Sequence, residues 1–204
     1  MAVDMGVIDQ WLVKNANGLE LDFLSLQGLW TEAQYLKLTD QTNHLIEFTD
    51  GVIEVLPMPT REHQKISAYL YRTFFAVAEE LGGIVLYAPL RLQVRPGKFR
   101  EPDLCLLLDE QDPRNENAFW LGTDLVIEIV SPDKPRRDTE EKPIDYAEGG
   151  IPEYWIVNPI DQTITVLTLA GEDYVTHGLF RRGEQVTSAL LPLIALDVDA
   201  VFKA

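Results

Sequence analysis

The chain has 204 residues, of which 46% are hydrophobic and 25% charged, values that are ordinary for one globular domain with a few appended elements. The formal net charge of -16 counts against a strong nucleic-acid binder, because Lys and Arg side chains are what bind phosphates. No apolar run reaches the length of about 18 residues that a membrane-spanning helix needs, and the first residues lack a signal-peptide pattern, so a cytoplasmic protein is expected.

The first 30 residues have weak hydrophobic periodicity, and we expect them to form an extension that packs on the rest of the chain. No internal repeat or low-complexity tract is present, and residues 31–204 are predicted to form a single domain. A short helix is expected over residues 31–37, with Thr31 or an earlier residue as its N-cap.

The next segment, HLIEFTDGVIEVLPMP, predicts a β-hairpin with strands at 44–49 and 52–57. Its turn is Asp50-Gly51, because both positions tolerate a positive φ. The longest helix is expected between an N-cap at Thr60 and a stop at Gly82-Gly83. Its apolar residues recur on one face. They are Ile66, Leu70, Phe74, Val77 and Leu81.

Strand-like segments follow at 84–94, 103–108 and 124–130. The last two, DLCLLL and DLVIEIV, are almost continuously apolar, as is typical of central strands that are covered on both faces. The single cysteine, Cys105, lies in the first of these two runs and is predicted to be a small core residue. One cysteine cannot form an intrachain disulfide.

The C-terminal part predicts a helix at about 138–148 and a strand at about 153–158. A β-meander interrupted by glycines follows, and the chain is expected to close with a short strand, to which one helical turn could be added. This order of elements predicts an α/β fold in which a core of strands and helices carries an antiparallel β extension at its C-terminus.

Two acidic residues stand where buried strands rarely hold a charge. Asp103 opens the run LCLLL, and Glu128 lies in the middle of LVIEIV. Such a carboxylate needs a salt bridge, hydrogen-bond donors or a bound cation to offset its lost hydration. Each residue alone has a structural explanation, as a paired carboxylate or as a strand-start Asp bonded to backbone. Together, on adjacent strands and without a His or Cys cluster, they suit a hard divalent cation such as Mg²⁺.

Other residues could complete such a site, although each has a structural alternative. Glu54 could add a third oxygen ligand or could face solvent, and His63 could line the site or lie at the surface near a helix cap. The spacing of Asp138, Lys142 and Tyr146 puts all three on one helix face. That face indicates either a salt bridge with a packed aromatic ring or an ammonium group presented to the metal site.

Basic residues are grouped locally despite the acidic balance of the chain. The groups are Arg91, Arg95, Lys98 and Arg100, then Lys134, Arg136 and Arg137, then Arg181 and Arg182. Each group is either a phosphate-contacting surface or an ordinary solvated face. A carboxylate site that holds a divalent cation would itself be less negative.

Five motifs precede the C-terminal meander. In chain order they are DGVIEVLPMPTREHQKI, EPDLCLLL, DLVIEIVSP, D-x-x-x-K-x-x-x-Y and GGIPEYWIVNP. This set resembles the Uma family of putative restriction endonucleases, a branch of the PD-(D/E)XK nuclease superfamily, over roughly 30–203. The resemblance implies a restriction-endonuclease-like core, a mixed central sheet flanked by helices. It assigns the PD motif to Pro102-Asp103 and the acidic residue of (D/E)XK to Glu128. It also implies Glu54 and His63 at the edge of the active site.

The chain departs from the superfamily pattern at Val130, which stands where a lysine is expected two residues after Glu128. The family places its lysine on the following helix, which implies Lys142 here. The next residue, Pro143, lacks an N–H and is poorly tolerated beyond the first helical turn. The helix must therefore begin close to Lys142 or bend there.

Together with these residues, the resemblance implies an Mg²⁺-dependent endonuclease that hydrolyses phosphodiester bonds in DNA, with Mn²⁺ as a substitute metal. We expect Asp103 and Glu128 to bind the metal, aided by Glu54 and the backbone carbonyl of Ile129. Lys142 would orient the attacking water or offset developing negative charge. Asp138 and Tyr146 are expected to support this lysine-bearing helix.

Two other classes of function stay open. One is a catalytically inactive nuclease fold that serves as a binding or assembly module, which the acidic charge and the missing strand lysine favour. The other is a metal hydrolase that acts on a different phosphate ester. No P-loop, GxSxG or HExxH motif is present to support NTP binding, acyl transfer or zinc proteolysis. The oligomeric state is also open, although a homodimer would supply the two active centres that duplex cleavage needs.

Overall fold

The computed structural model describes residues 12–14 and 20–204, with side chains from residue 25 onward. The chain forms two compact units. The first contains the described residues up to Pro57 together with Gly97–Phe99, and the second contains Met58–Pro96 and Arg100–Ala204. Residues 1–11 and 15–19 of the expected extension lie outside the described residues, so the division of the chain at residue 30 stays a prediction.

The structure contains short strands throughout and four α-helices among the described residues. The strands are β1 (Leu12–Lys14), β2 (Glu20–Asp22), β3 (Ile46–Thr49), β4 (Val52–Val55), β5 (Ile84–Tyr87), β6 (Leu92–Arg95), β7 (Lys98–Arg100), β8 (Leu104–Leu107), β9 (Leu125–Ile129), β10 (Glu153–Asn158), β11 (Thr163–Ala170), β12 (Asp173–Arg181), β13 (Gln185–Thr187) and β14 (Ala195–Asp197). The helices are α1 (Glu32–Thr39), α2 (Arg61–Leu81), α3 (Lys142–Glu148) and α4 (Val198–Lys203). A 3-10 turn spans Phe23–Leu26, and a π-helical segment spans Arg137–Glu141.

The first unit contains the predicted hairpin and short helix. β3 and β4 pair antiparallel around Asp50 and Gly51, which both have a positive φ. Thr31 caps α1, because its side chain accepts a hydrogen bond from the backbone N–H of Gln34. In the core of this unit, the ring of Tyr35 stacks on that of Phe48, and the two ring centroids lie 5.1 Å apart. Both local predictions are therefore confirmed.

The second unit is built on a six-stranded sheet in the order β12-β11-β10-β9-β8-β5. β9 and β10 are parallel, and every other neighbouring pair is antiparallel. A parallel pair needs a crossover connection, which α3 supplies here, whereas tight turns join β10, β11 and β12 into the predicted meander. The mixed central sheet with a C-terminal antiparallel extension is therefore confirmed, and β8 and β9 are central strands.

One face of this sheet is covered by α2, which begins after the predicted cap, Thr60. The helix ends at Gly82, whose left-handed conformation favours a residue without a Cβ. Three residues of the predicted apolar stripe are buried, namely Ile66, Leu70 and Phe74. Leu81 was expected in the same stripe but is 47% exposed, because it belongs to the last turn of the helix.

The single strand predicted at 84–94 is instead two strands, β5 and β6. The break falls at Pro89, which has no N–H to donate to a sheet. β5 pairs with β8, whereas Leu92 of β6 forms an isolated parallel bridge with Trp120. The proline therefore redirects the chain from one partner to another.

The second face of the sheet carries α3 and a separate apolar cluster, which includes Cys105, Val126, Val130, Tyr146 and Tyr154. Cys105 is buried, as predicted, and burial raises the pKa of its thiol well above the ordinary value. None of the described helices combines the length and the apolar character that a membrane crossing requires.

Candidate active site

The carboxylates of Asp103 and Glu128 come from adjacent antiparallel strands. β8 and β9 pair with Leu104 opposite Ile127. Continuing this register by one residue sets Asp103 opposite Glu128, and directly opposite residues share one face of a sheet. The side chain of Glu128 is buried at the centre of the sheet, whereas that of Asp103 is 17% exposed at the start of its strand.

Asp103 is held by two donors. Its Oδ2 accepts a hydrogen bond from the backbone N–H of Ile129 at 2.7 Å and lies 3.1 Å from Nε2 of His63. His63 is in the first turn of α2, and its backbone N–H donates a hydrogen bond to the side-chain hydroxyl of the N-cap, Thr60. Burial lowers the pKa of His63, but the hydrogen bond and charge of Asp103, with the charge of Glu128, raise it above the ordinary value. The histidine therefore lies at the carboxylate pair.

Glu128 is held by the helix that follows its strand. Its Oε1 lies 2.7 Å from Nζ of Lys142 and accepts a hydrogen bond from the hydroxyl of Tyr146. The same ammonium lies 3.1 Å from Oδ1 of Asp138. All four side chains are buried. The helix face predicted from the spacing of these residues thus meets the strand carboxylate directly.

The buried cluster contains more negative than positive groups. Burial is the main cause that raises the pKa of Glu128 to about 8; the carboxylates of Asp103 and Asp138 contribute to the rise, and the ammonium of Lys142 opposes it. The ammonium of Lys142 alone does not balance the acidic groups of Asp103, Glu128 and Asp138, so the cluster lacks positive charge. A bound cation would supply that charge.

A π-helical segment explains how Lys142 reaches the strand. The backbone N–H of Lys142 bonds to the carbonyl of Arg137, five residues back, and Pro143 then lies in the first turn of α3. The helix begins close to Lys142, as the proline predicts. The hydroxyl of Tyr154 on β10 donates to the backbone carbonyl of Asp138 at 2.7 Å. Tyr154 was not among the predicted site residues, although it lies in the motif GIPEYWIVNP.

Two further ligands were expected from the sequence, Glu54 and the backbone carbonyl of Ile129. Glu54 lies on β4 of the first unit, opposite Glu47 in the hairpin, and its part in the site stays a prediction. The carbonyl of Ile129 as a metal ligand also stays a prediction. Among the described residues, no three His, Cys, Asp or Glu side chains group together as a metal site. The carboxylate pair would therefore rely on water or substrate for its remaining ligands.

Members of all three basic groups form ion pairs. Arg100 donates through Nε and Nη2 to Oδ2 of Asp145 on α3, at 2.9 and 2.7 Å. Further pairs are Arg95 with Glu148, Arg136 with Glu140, and Arg182 with Asp199. These contacts favour the structural explanation of the basic groups over that of a dedicated phosphate-binding surface.

The model of the Uma2 family, described as "Putative restriction endonuclease", matches residues 32–199. A solved structure with a similar fold is that of a protein described as a putative nuclease belonging to DUF820 from Anabaena variabilis. The two chains are 21% identical, with a TM-score of 0.67, and the match covers 82% of this chain and 97% of the other. No curated protein matches the sequence. Because the family model spans most of the chain, the protein belongs to the Uma2 family of putative restriction endonucleases.

Proposed function

We propose that this protein is a divalent-metal-dependent endonuclease that hydrolyses phosphodiester bonds in DNA. The observation that carries the proposal is the carboxylate pair of Asp103 and Glu128 on adjacent strands, with the ammonium of Lys142 at 2.7 Å from Glu128. A family of putative restriction endonucleases and a fold similar to that of a putative nuclease support the same class of enzyme.

The carboxylate pair fits Mg²⁺ or Mn²⁺ by its chemistry. Mg²⁺ prefers hard oxygen ligands and often uses one or two carboxylates, with water and substrate phosphate completing its shell. The described hydrogen bonds use one oxygen of each carboxylate, Oδ2 of Asp103 and Oε1 of Glu128. The other oxygen of each could therefore bind a cation. A bound divalent cation would lower the pKa of a water molecule and offset charge on the phosphate.

The chain's own residues have separate parts in the proposed reaction. Lys142 would offset negative charge that develops on the phosphate, or orient the attacking water. The Tyr146 hydroxyl donates to Glu128 and Asp138 contacts the Lys142 ammonium, so both would keep the lysine beside Glu128. His63 contacts Asp103 and would orient that carboxylate from the edge of the site. Glu54 and the carbonyl of Ile129 stay candidate oxygen ligands.

The acidic charge of the chain limits how DNA could be bound. A net charge of -16, with ion-paired arginines, gives little attraction for a polyanion. Affinity would therefore depend strongly on a bound divalent cation, which would offset the negative charge of the carboxylates that hold it. We expect DNA binding to be weak in EDTA. The homodimer and the cytoplasmic location stay predictions.

Nicking of supercoiled plasmid DNA with Mg²⁺ or Mn²⁺ tests the proposal. The wild type should convert plasmid to the nicked form, whereas Asp103→Asn and Glu128→Gln should lose this activity. Both substitutions keep the shape of the side chain and remove its charge. Asp109→Asn, in an exposed loop, is the matched control and should cut like the wild type. Equal nicking by all four preparations, or none by the wild type with either metal, would reject the proposal.

A catalytically inactive binding or assembly module is the second candidate. The absence of a three-ligand group among the described residues favours it, as does the acidic charge. Such a module would neither nick DNA nor bind Mn²⁺ through Asp103. The two candidates therefore differ in metal binding as well as in activity.

A further inference from the structure

The hydroxyl of Tyr154 makes a buried hydrogen bond that the proposed chemistry does not use. It donates to the backbone carbonyl of Asp138 at 2.7 Å, and the whole side chain is buried on β10. Its ring packs edge-on against that of Tyr146, with centroids 5.0 Å apart. Burial raises the pKa of Tyr154 well above its ordinary value, with smaller contributions from Glu128 and Asp138, so the group stays a donor.

The acceptor of this bond is a carbonyl whose expected partner is missing. In the π-helical segment, the N–H of Lys142 bonds to the carbonyl of Arg137, five residues back. The same pattern would pair the next carbonyl, that of Asp138, with the N–H of residue 143. Residue 143 is proline and has no N–H. A buried carbonyl without a donor is costly, and the Tyr154 hydroxyl occupies the donor's place.

The same segment determines the position of the lysine. Asp138 contacts Lys142 through its side chain, and Lys142 is the residue at which the π-helical segment passes into α3. A change in the turn would rotate the start of α3 about its axis, since each added or removed residue turns a helix by about 100°. The ammonium would then leave Glu128.

We propose that Tyr154 is a positioning residue, whose hydroxyl replaces the N–H that Pro143 lacks and thereby holds the π-helical turn that directs Lys142 to Glu128. Its catalytic consequence rests on the proposed function, whereas the structural coupling between Tyr154, Pro143 and Lys142 does not. The coupling can therefore be measured without DNA cleavage.

Three variants form a closed test: Tyr154→Phe, Pro143→Ala and the double variant. Phenylalanine keeps the ring and removes only the donor, whereas alanine at 143 restores an N–H beside the same carbonyl. Alanine should therefore make the Tyr154 hydroxyl dispensable. Tyr174→Phe is the matched control, because the Tyr174 hydroxyl donates to the backbone carbonyl of Ile151 at the same distance, 2.7 Å. That bond lies beyond the end of α3.

The first measurement is the rate at which an amine-acylating reagent modifies Lys142 in the presence of EDTA. Peptide mass spectrometry detects the modified lysine. Lys142 is buried and should react slowly in the wild type, with exposed Lys203 as the internal reference. Tyr154→Phe should raise the rate about five- to tenfold, as expected for the loss of one hydrogen bond. Lys142 should react at the wild-type rate in the double variant, where the N–H of the alanine at position 143 replaces the lost donor. It should also react at that rate in the control Tyr174→Phe. An unchanged rate in Tyr154→Phe, or no rescue in the double variant, would overturn the proposal.

A comparison within the alanine background covers the case in which Tyr154→Phe alone does not fold. Pro143→Ala and the double variant should then protect Lys142 equally, and a difference of about fivefold or more would overturn the proposal. Plasmid nicking is the second measurement. The kcat for nicking should fall in Tyr154→Phe with little change in KM, and it should recover in the double variant. If the wild type does not nick DNA, the acylation rates still decide the coupling, while the proposed function fails separately.

Discussion

The ammonium of Lys142 lies 2.7 Å from the carboxylate of Glu128, although fourteen positions separate the two residues in the sequence. The superfamily pattern would place a lysine at position 130, but Val130 is buried there in an apolar cluster. Alternation along the strand puts residues 128 and 130 on one face. The helix after the strand thus brings its lysine to the face from which the strand lysine is missing.

Replacement of Lys142 by methionine is expected to destabilise the metal-free protein. Methionine keeps the apolar stem but removes the charge that Glu128 and Asp138 share. Loss of one partner of a buried ion pair costs about 3–5 kcal/mol of unfolding free energy. Urea unfolding in EDTA above pH 8, where the carboxyl of Glu128 is ionised, measures this loss. Mn²⁺ should restore part of it, because a bound cation replaces the missing charge.

Lys65→Met is the control for this experiment, since Lys65 is exposed on α2. Its unfolding free energy should stay within about 0.5 kcal/mol of the wild type. A Lys142→Met protein as stable as Lys65→Met would contradict the buried ion pair.

The carboxyl of Glu128 should titrate far from its ordinary value in the metal-free protein. Carbon-13 NMR in EDTA should give a pKa of about 8, compared with an ordinary value of 4.5. Asp103→Asn should lower the pKa of Glu128 by removing a neighbouring negative charge, and Lys142→Met should raise it by removing the ammonium. A pKa near 4.5 in the wild type would show that burial is offset by groups other than those named.

This raised pKa also fixes the direction of a stability change. The folded protein binds the Glu128 proton more tightly than the unfolded chain, so protonation stabilises the fold. That contribution is fully present below about pH 4.5 and is lost as the pH rises towards 8. In EDTA, the unfolding free energy of the wild type should therefore fall relative to that of Glu128→Gln as the pH rises from 4.5 to 8.

The secondary structure could be predicted closely where local signals are strong. The capped start of α2 at Thr60, its glycine stop at Gly82 and the hairpin at Asp50-Gly51 follow from turn and cap chemistry. The prediction of one continuous strand at 84–94 was wrong. The apolar content of this segment is continuous on both sides of Pro89, and only tertiary pairing shows that its halves have different partners.

The site could be predicted only in part for a similar reason. Asp103 and Glu128 stand out because a charge inside an apolar strand needs compensation. The contact of Lys142 with Glu128 depends on a π-helical turn, which has no clear signal in the sequence beyond Pro143. Tyr154 carries no charge and lies in an apolar strand, so nothing in its local sequence distinguishes it from a core residue.

Glu153 gives a prediction about the stability of the fold rather than about the site. This buried carboxylate accepts hydrogen bonds from the Trp155 indole, the Ser188 hydroxyl and the backbone N–H groups of Ala189 and Leu190. Glutamine offers one acceptor oxygen and turns its amide group towards these donors. Glu153→Gln should lower the unfolding free energy by about 3 kcal/mol in a urea titration at neutral pH.

The exposed residue Glu172, in the turn between β11 and β12, provides the matched substitution. Glu172→Gln should change the unfolding free energy by less than about 0.5 kcal/mol. A similar small change in Glu153→Gln would mean that the four donors find other partners.

Calorimetric titration with Mn²⁺ tests most directly whether Asp103 and Glu128 hold a cation. The wild type should bind Mn²⁺ with a saturable heat, and Asp103→Asn and Glu128→Gln should each bind it on the order of tenfold or more weakly. Asparagine at 103 can still accept the hydrogen bond from Ile129, so the fold should be retained. Asp109→Asn should bind like the wild type. Absence of binding by the wild type, or equal binding by all four proteins, would contradict a metal site at these carboxylates.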